Sequence, residues 1–105
     1  MNELTVREFN GTNVGFRINK TTGASEVRID EVAKFCGWTE TKDNKEYVMF
    51  RRVNKFLNEL GFSAQVSKGD FIPEYIMYPL IGKANNGKAT KFMLWVGQVL
   101  TEIRQ

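Results

Sequence analysis

The sequence predicts an α+β fold: a small antiparallel N-terminal sheet (a hairpin plus a short strand) packed by about four helices, the last one long and amphipathic. Three observations carry this expectation. Short alternating segments separated by turn residues fill the first 30 positions. Helical periodicity dominates from Phe50 onward. Strand-like segments precede helix-like ones instead of alternating with them. At 105 residues the chain is about one domain long, and 1–105 reads as a single domain without repeat, linker or low-complexity stretch.

The elements follow in order. Residues 4–9 place Leu4, Val6 and Glu8 on one side and Thr5, Arg7 and Phe9 on the other. Residues 14–18 place Val14, Phe16 and Ile18 on one face. Asn10-Gly11-Thr12-Asn13 between them is a turn cluster, so the pair reads as a β-hairpin with one buried face. A second turn over 19–25 leads to a short strand over Glu26–Ile29. Asp30 suits the N-cap of a short helix through Cys36, ended by Gly37 in the left-handed conformation. Trp38 follows, and then Thr39 to Lys45 is polar and aperiodic, which predicts a mobile surface loop. Residues 46–49 read as extended.

Phe50, Val53, Phe56, Leu57 and Leu60 recur at helical spacing, and Gly61 stops that helix. Residues 62–70 read as a loop, with a brief extension from Asp70 to Pro73. The apolar run over 75–84 predicts an irregular helix with Pro79 near its start, because an interior proline costs about 3 kcal/mol. Asn85-Asn86-Gly87 is a turn. Lys88 to Ile103 is the clearest helix, with Ala89, Phe92, Trp95, Val96, Val99, Leu100 and Ile103 in one apolar stripe.

Composition excludes several function classes. No histidine is present, so histidine acid–base chemistry and histidine metal ligation are absent. Cys36 is the single cysteine, so no intrachain disulfide and no thiolate cluster can form, a usage that fits a reducing cytosol. No apolar run reaches 18 residues, so no membrane partner is expected, and the polar, alternating start is unlike a signal peptide. The carboxylate pairs Asp30-Glu31 and Asp70…Glu74 are explained by helix capping and a turn. No cofactor, metal site or enzymatic activity is expected.

The 15 Lys+Arg against 12 Asp+Glu leave a net charge of +3. Residues 1–30 hold four of each sign, so the excess lies in the C-terminal two thirds. Two groups stand out. Arg51, Arg52 and Lys55 share one side of the 50–60 helix; arginine suits guanine edges and phosphates, lysine suits phosphate, and Asn54 and Asn58 suit adenine edges. Lys83, Asn85, Asn86, Lys88 and Lys91 surround the turn before the last helix, whose first N–H groups suit phosphate. Against both stands the plain reading of solvated, capping charge. Lys42 and Lys45 in the 39–45 loop suit a phosphate backbone or a partner, diluted by Glu40, Asp43 and Glu46.

Residues 71–104 carry a further pattern. Glu74, Tyr78, Leu80, Ala89, Phe92, Trp95-Val96, Val99-Leu100 and Ile103-Arg104 fall in the order and spacing found at the end of the BRO-N domain. Upstream, Glu31-Val32-Ala33, three residues and Gly37-Trp38 match more loosely. The chain thus resembles the BRO-N family, the N-terminal domain of phage antirepressors and baculovirus BRO proteins. It departs at Glu31 (usually Asp), Tyr75-Ile76 (usually Ser-Gly), Pro79 (intruding) and Thr101 (usually Pro). The resemblance implies a DNA-binding domain of a phage or prophage antirepressor-like transcriptional regulator, acting on double-stranded DNA in the bacterial cytoplasm in the control of lysogeny. On the residues, the expected DNA contacts are Arg51, Arg52, Lys55, Lys83, Asn86, Lys88 and Lys91. The alternative is a protein–protein interaction module that binds and inactivates a phage repressor through aromatics such as Trp38, Tyr47, Phe71 and Tyr75. Homo-oligomerisation fits either.

Overall fold

The structure is a computed structural model that describes residues 3–103. Met1, Asn2, Gln105 and Arg104, the last position of the resemblance, lie outside the described residues. Within them the fold is α+β, as the sequence predicts. A four-stranded antiparallel sheet runs in the order β1 (Glu3–Phe9), β2 (Thr12–Ile18), β3 (Ser25–Arg28), β6 (Phe71–Pro73). The helices are α1 (Ile29–Cys36), α2 (Phe50–Glu59), α3 (Glu74–Gly82) and α4 (Gly87–Ile103). A separate two-stranded hairpin joins β4 (Thr39–Lys42) to β5 (Lys45–Val48).

The first hairpin closes more tightly than the four-residue turn read from sequence. Asn10 (φ 49°) and Gly11 (φ 82°) alone make the turn, and Thr12 and Asn13 pair with Phe9 and Glu8. Two consecutive left-handed residues match the right-handed twist of the flanking strands, which favours the two-residue loop. Asp30 is not the N-cap of α1. Arg28 occupies that position without a side-chain cap, the strand runs directly into the helix, and Asp30 lies in the first turn, where Oδ1 accepts the Gly69 N–H at 2.8 Å. Gly37 ends α1 at φ 82° as expected.

The largest correction concerns 39–45, which is an ordered hairpin and not a loop. Asp43 (φ 52°) and Asn44 (φ 65°) form its two-residue turn. All residues from Glu40 to Tyr47 are exposed, so the ribbon has no buried face and leaves no apolar alternation to read. The brief extension at 71–73 is a full sheet member: Ile72 sits opposite Val27, and both are completely buried. Pro79 is the sixth residue of α3, not near its start. It cannot donate to the Tyr75 carbonyl, and burial of Ile76, Met77, Leu80 and Ile81 offsets that loss.

One apolar core joins these elements. Val14, Phe16, Val27 and Ile72 of the sheet share one buried cluster with Phe92, Val96 and Leu100 of α4. Each such side chain contributes about 1.5–3 kcal/mol on burial. Phe35 of α1 stacks on Phe92 at 4.5 Å between ring centres, while Trp95 lies 4.8 Å from Phe9 and 5.7 Å from Phe16. Trp95 and Ile103, the flanks of the predicted stripe, are only half-buried. The hairpin β4–β5 and α2 belong to an excursion of the chain between β3 and β6, which are neighbours in the sheet.

Candidate nucleic-acid interface

Helix α2 is held by one face. Val53 and Leu57 are fully buried, and Phe50, Phe56 and Leu60 are half-buried. Arg51, Arg52, Lys55 and Asn58 project from the other face, exposed. Its ten residues span about 15 Å at 1.5 Å per residue. Arg51, Arg52 and Lys55 have no carboxylate within ion-pair distance among the described residues. With Val48, Phe56 and Glu40 they line an open groove of about 540 Å³. Glu40 pairs with Lys42 at 3.6 Å instead of neutralising the arginines.

The position of these charges within the helix is as informative as their exposure. Arg51 and Arg52 occupy the first turn of α2, which has no acidic residue and no side-chain cap. The N-terminal end of a helix carries partial positive charge, so each cation there costs on the order of a few tenths of a kcal/mol. Folding therefore does not call for these arginines, whereas an anion held between them and the helix end removes the mismatch.

Asn54 does not belong to this surface. Its Oδ1 accepts the Val66 N–H at 2.8 Å and its Nδ2 donates to the Val66 carbonyl at 3.1 Å. It anchors the 61–70 loop to α2, so its amide is unavailable to an adenine edge. The Val66 side chain, buried below, explains why the loop needs an anchor there.

The second predicted group does not form one patch. Lys83 donates to Glu59 at 3.0 Å and lies 5.6 Å from the Phe56 ring, so it belongs with α2. Asn86 is the N-cap of α4, its Oδ1 accepting the Ala89 N–H at 2.8 Å. Asn85 adopts φ 48° in the turn. Lys88 lies 5.5 Å from the Phe35 ring. Lys91 is exposed on α4. Two of the four proposed contacts in this group are thus engaged in holding the fold.

The aromatics named for partner binding divide as well. Trp38 is buried against Phe56, and Phe71 lies under the Arg17 guanidinium at 4.2 Å. Only Tyr47 and Tyr75 are exposed, on β5 and α3 respectively. Burial pushes the Cys36 thiol up to about 12, which leaves it protonated at neutral pH. Among the described residues, no group of three or more Cys, Asp or Glu side chains could hold a metal, and no helix is long and apolar enough to cross a membrane.

The sequence did not reveal that β4–β5 stands beside the basic helix; its one signal was the Asp43-Asn44 pair, both residues that tolerate left-handed φ. The carboxylates resolve by partner. Glu31 accepts the Gly15 N–H at 3.1 Å, and burial raises its carboxyl above the usual range, partly offset by that bond and by Arg28. Asp70 closes a turn by accepting the Ser67 N–H at 2.8 Å. No family model, no curated protein and no solved structure matches this chain.

Proposed function

We propose that the protein is a double-stranded-DNA-binding domain of an antirepressor-like regulator and that the exposed face of α2 is its contact surface. The observation that carries this reading is the placement of Arg51 and Arg52: two guanidinium groups, without an ion-pair partner among the described residues, in the first turn of a helix, where they oppose the helix dipole. Lys55 lies one turn beyond Arg51 and extends the same cationic line. The resemblance to BRO-N domains supports the same reading. Arginine and lysine there hold phosphates, and an arginine that reaches a guanine edge adds sequence preference. Lys91 and Lys88 supply further backbone contacts only if the duplex extends toward α4.

The test is fluorescence anisotropy of duplex DNA across salt concentrations, with DNA from the protein's own early promoter region beside a random duplex. The expected log–log slope has a magnitude of about 3–6, at about 0.9 per phosphate contact. Absence of binding at low salt by a folded sample refutes the proposal and leaves a repressor protein as the partner to test.

A further inference from the structure

The two edges of the main sheet are built differently. Strand β6 is three residues long and ends in Pro73, which has no N–H to offer a further strand. Both strands of the β4–β5 ribbon are four residues long and carry Lys42 and Lys45 beside their turn. Strand β1 lacks the short length and the proline, and its exposed charges are confined to Arg7 and Glu8 beside the turn among the described side chains. It is seven residues long, contains no proline, glycine or bulge, and pairs in unbroken register with β2 from Glu3↔Ile18 to Phe9↔Thr12. Its other side has no neighbouring strand among the described residues. Its outward face exposes Leu4 (59%) and Val6 (49%), two of the five large apolar side chains most open to solvent among the described residues.

The polarity of the free edge follows from the turn. In a two-residue hairpin, Phe9 and Thr12 form the hydrogen-bonded closing pair, so alternate residues Leu4, Val6 and Glu8 direct their N–H and C=O groups away from β2. The Val6 carbonyl accepts only a long 3.4 Å contact from the Arg7 guanidinium.

We infer that β1 is a self-association edge, taking β1 of a second copy of this chain in antiparallel register and joining two four-stranded sheets into one of eight strands. The register follows from complementarity. A two-fold axis at Thr5 places Leu4 opposite Val6 of the second copy, twice over, and makes one four-residue apolar cluster. Shifting the axis to Val6 instead sets Leu4 opposite Glu8 and forfeits that cluster. Leu4 and Val6, whose backbone groups point outward, become the hydrogen-bonded pair, and Thr5 faces Thr5 in the close, non-hydrogen-bonded pair. One strand pairing is a small interface, so the dimer forms and dissociates with concentration. This inference is independent of DNA binding.

The test is sedimentation equilibrium of the 105-residue chain from micromolar to about millimolar concentration, without DNA, with two sets of variants. The wild type is expected to pass from monomer to dimer. L4K combined with V6K is expected to stay monomeric with an unchanged melting temperature, because both side chains are exposed and only the pair places like charges face to face. T5C is expected to form a disulfide-linked dimer on diamide oxidation, since opposed Cα atoms in such a pair lie about 4.5 Å apart, whereas V6C is not. Cys36, buried and protonated, stays out of the reaction. A wild type that is monomeric throughout, a dimer that survives L4K/V6K, or linkage through V6C but not T5C overturns the proposal.

Discussion

Helices α1 and α2 are both short, amphipathic and packed on the core by one face, yet their charges are arranged in opposite senses. In α1, Asp30 and Glu31 stand in the first turn and Lys34 in the last, so every charge complements the helix dipole. Each also has a local use: Asp30 and Glu31 accept backbone N–H groups from Gly69 and Gly15, and Lys34 donates to Thr12 Oγ1 at 3.1 Å. In α2, Arg51 and Arg52 stand in the first turn and Glu59 closes the helix, each at the end the dipole disfavours. Glu59 is rescued by Lys83, and the arginines by nothing among the described residues. The difference teaches that α1 is charged for folding, whereas the N-terminal half of α2 carries charge that folding does not use. Local rules broken without compensation are where function is expected.

The comparison breaks or sharpens at defined positions. The largest expected effect is that of R51E/R52E. DNA affinity is expected to fall at least about 100-fold, or about 2.8 kcal/mol, with no loss of stability, because acidic residues now match the helix end. Binding by anisotropy and melting by circular dichroism read the two effects separately. Affinity that survives the reversal removes α2 from the interface.

Asn54→Ala sharpens the boundary within α2 itself. It strips partners from both backbone groups of Val66, so a loss of about 1–3 kcal/mol is expected in urea unfolding. DNA affinity of the folded fraction should match wild type, and a selective loss of affinity would return Asn54 to the contact surface. Next in size is Asn86→Ala, which removes the α4 cap and is expected to cost about 1 kcal/mol. Its DNA affinity should stay within twofold if the residue caps and does not contact.

The smallest effect belongs to Glu31 of α1. Burial raises its folded-state carboxyl above the unfolded value, so the native state binds more protons between the two. Its contribution is present below the unfolded value and is lost as pH rises through the folded one. E31Q keeps an acceptor for Gly15 N–H without the buried charge. Its melting temperature should therefore vary less than wild type's across the weakly acidic range, and parallel curves would refute the assignment.

The legible parts of the chain share a physical cause. β2, α2 and α4 each bury one side of a regular element, so period 2 or period 3.6 is written in their apolar residues, as in Val14-Phe16 and Phe92-Val96-Leu100. Hairpin β4–β5 buries almost nothing, so 39–45 reads as a loop and only the extended stretch at 46–49 is legible; its turn conformation and backbone pairing leave no such period. Pro79 was misplaced for the converse reason. Propensity argues against an interior proline, and four buried neighbours in α3 outweigh it. The basic line on α2 was visible as Arg51-Arg52-x-x-Lys55, since residues close in sequence share a helix face. The dispersal of Lys83 and Lys88 was not visible, because Glu59 and Phe35 meet them from distant positions in the chain, whereas Asn86 caps α4 through Ala89 only three residues on.

By itself the sequence determined the α+β class, the first hairpin, the amphipathic helices α2 and α4, and the absence of histidine and disulfide chemistry. These depend on composition and on periods within a single element. Tertiary structure alone decided which charges are spent and which strand edge is left open. Lys83 is neutralised by Glu59, Asn54 is tied to Val66, and Arg51 and Arg52 meet no carboxylate among the described residues. β6 arrives beside β3 and leaves β1 at the open edge. The physical reason is that such ion pairs, loop anchors and sheet order join residues far apart in the chain, and no local period encodes such meetings.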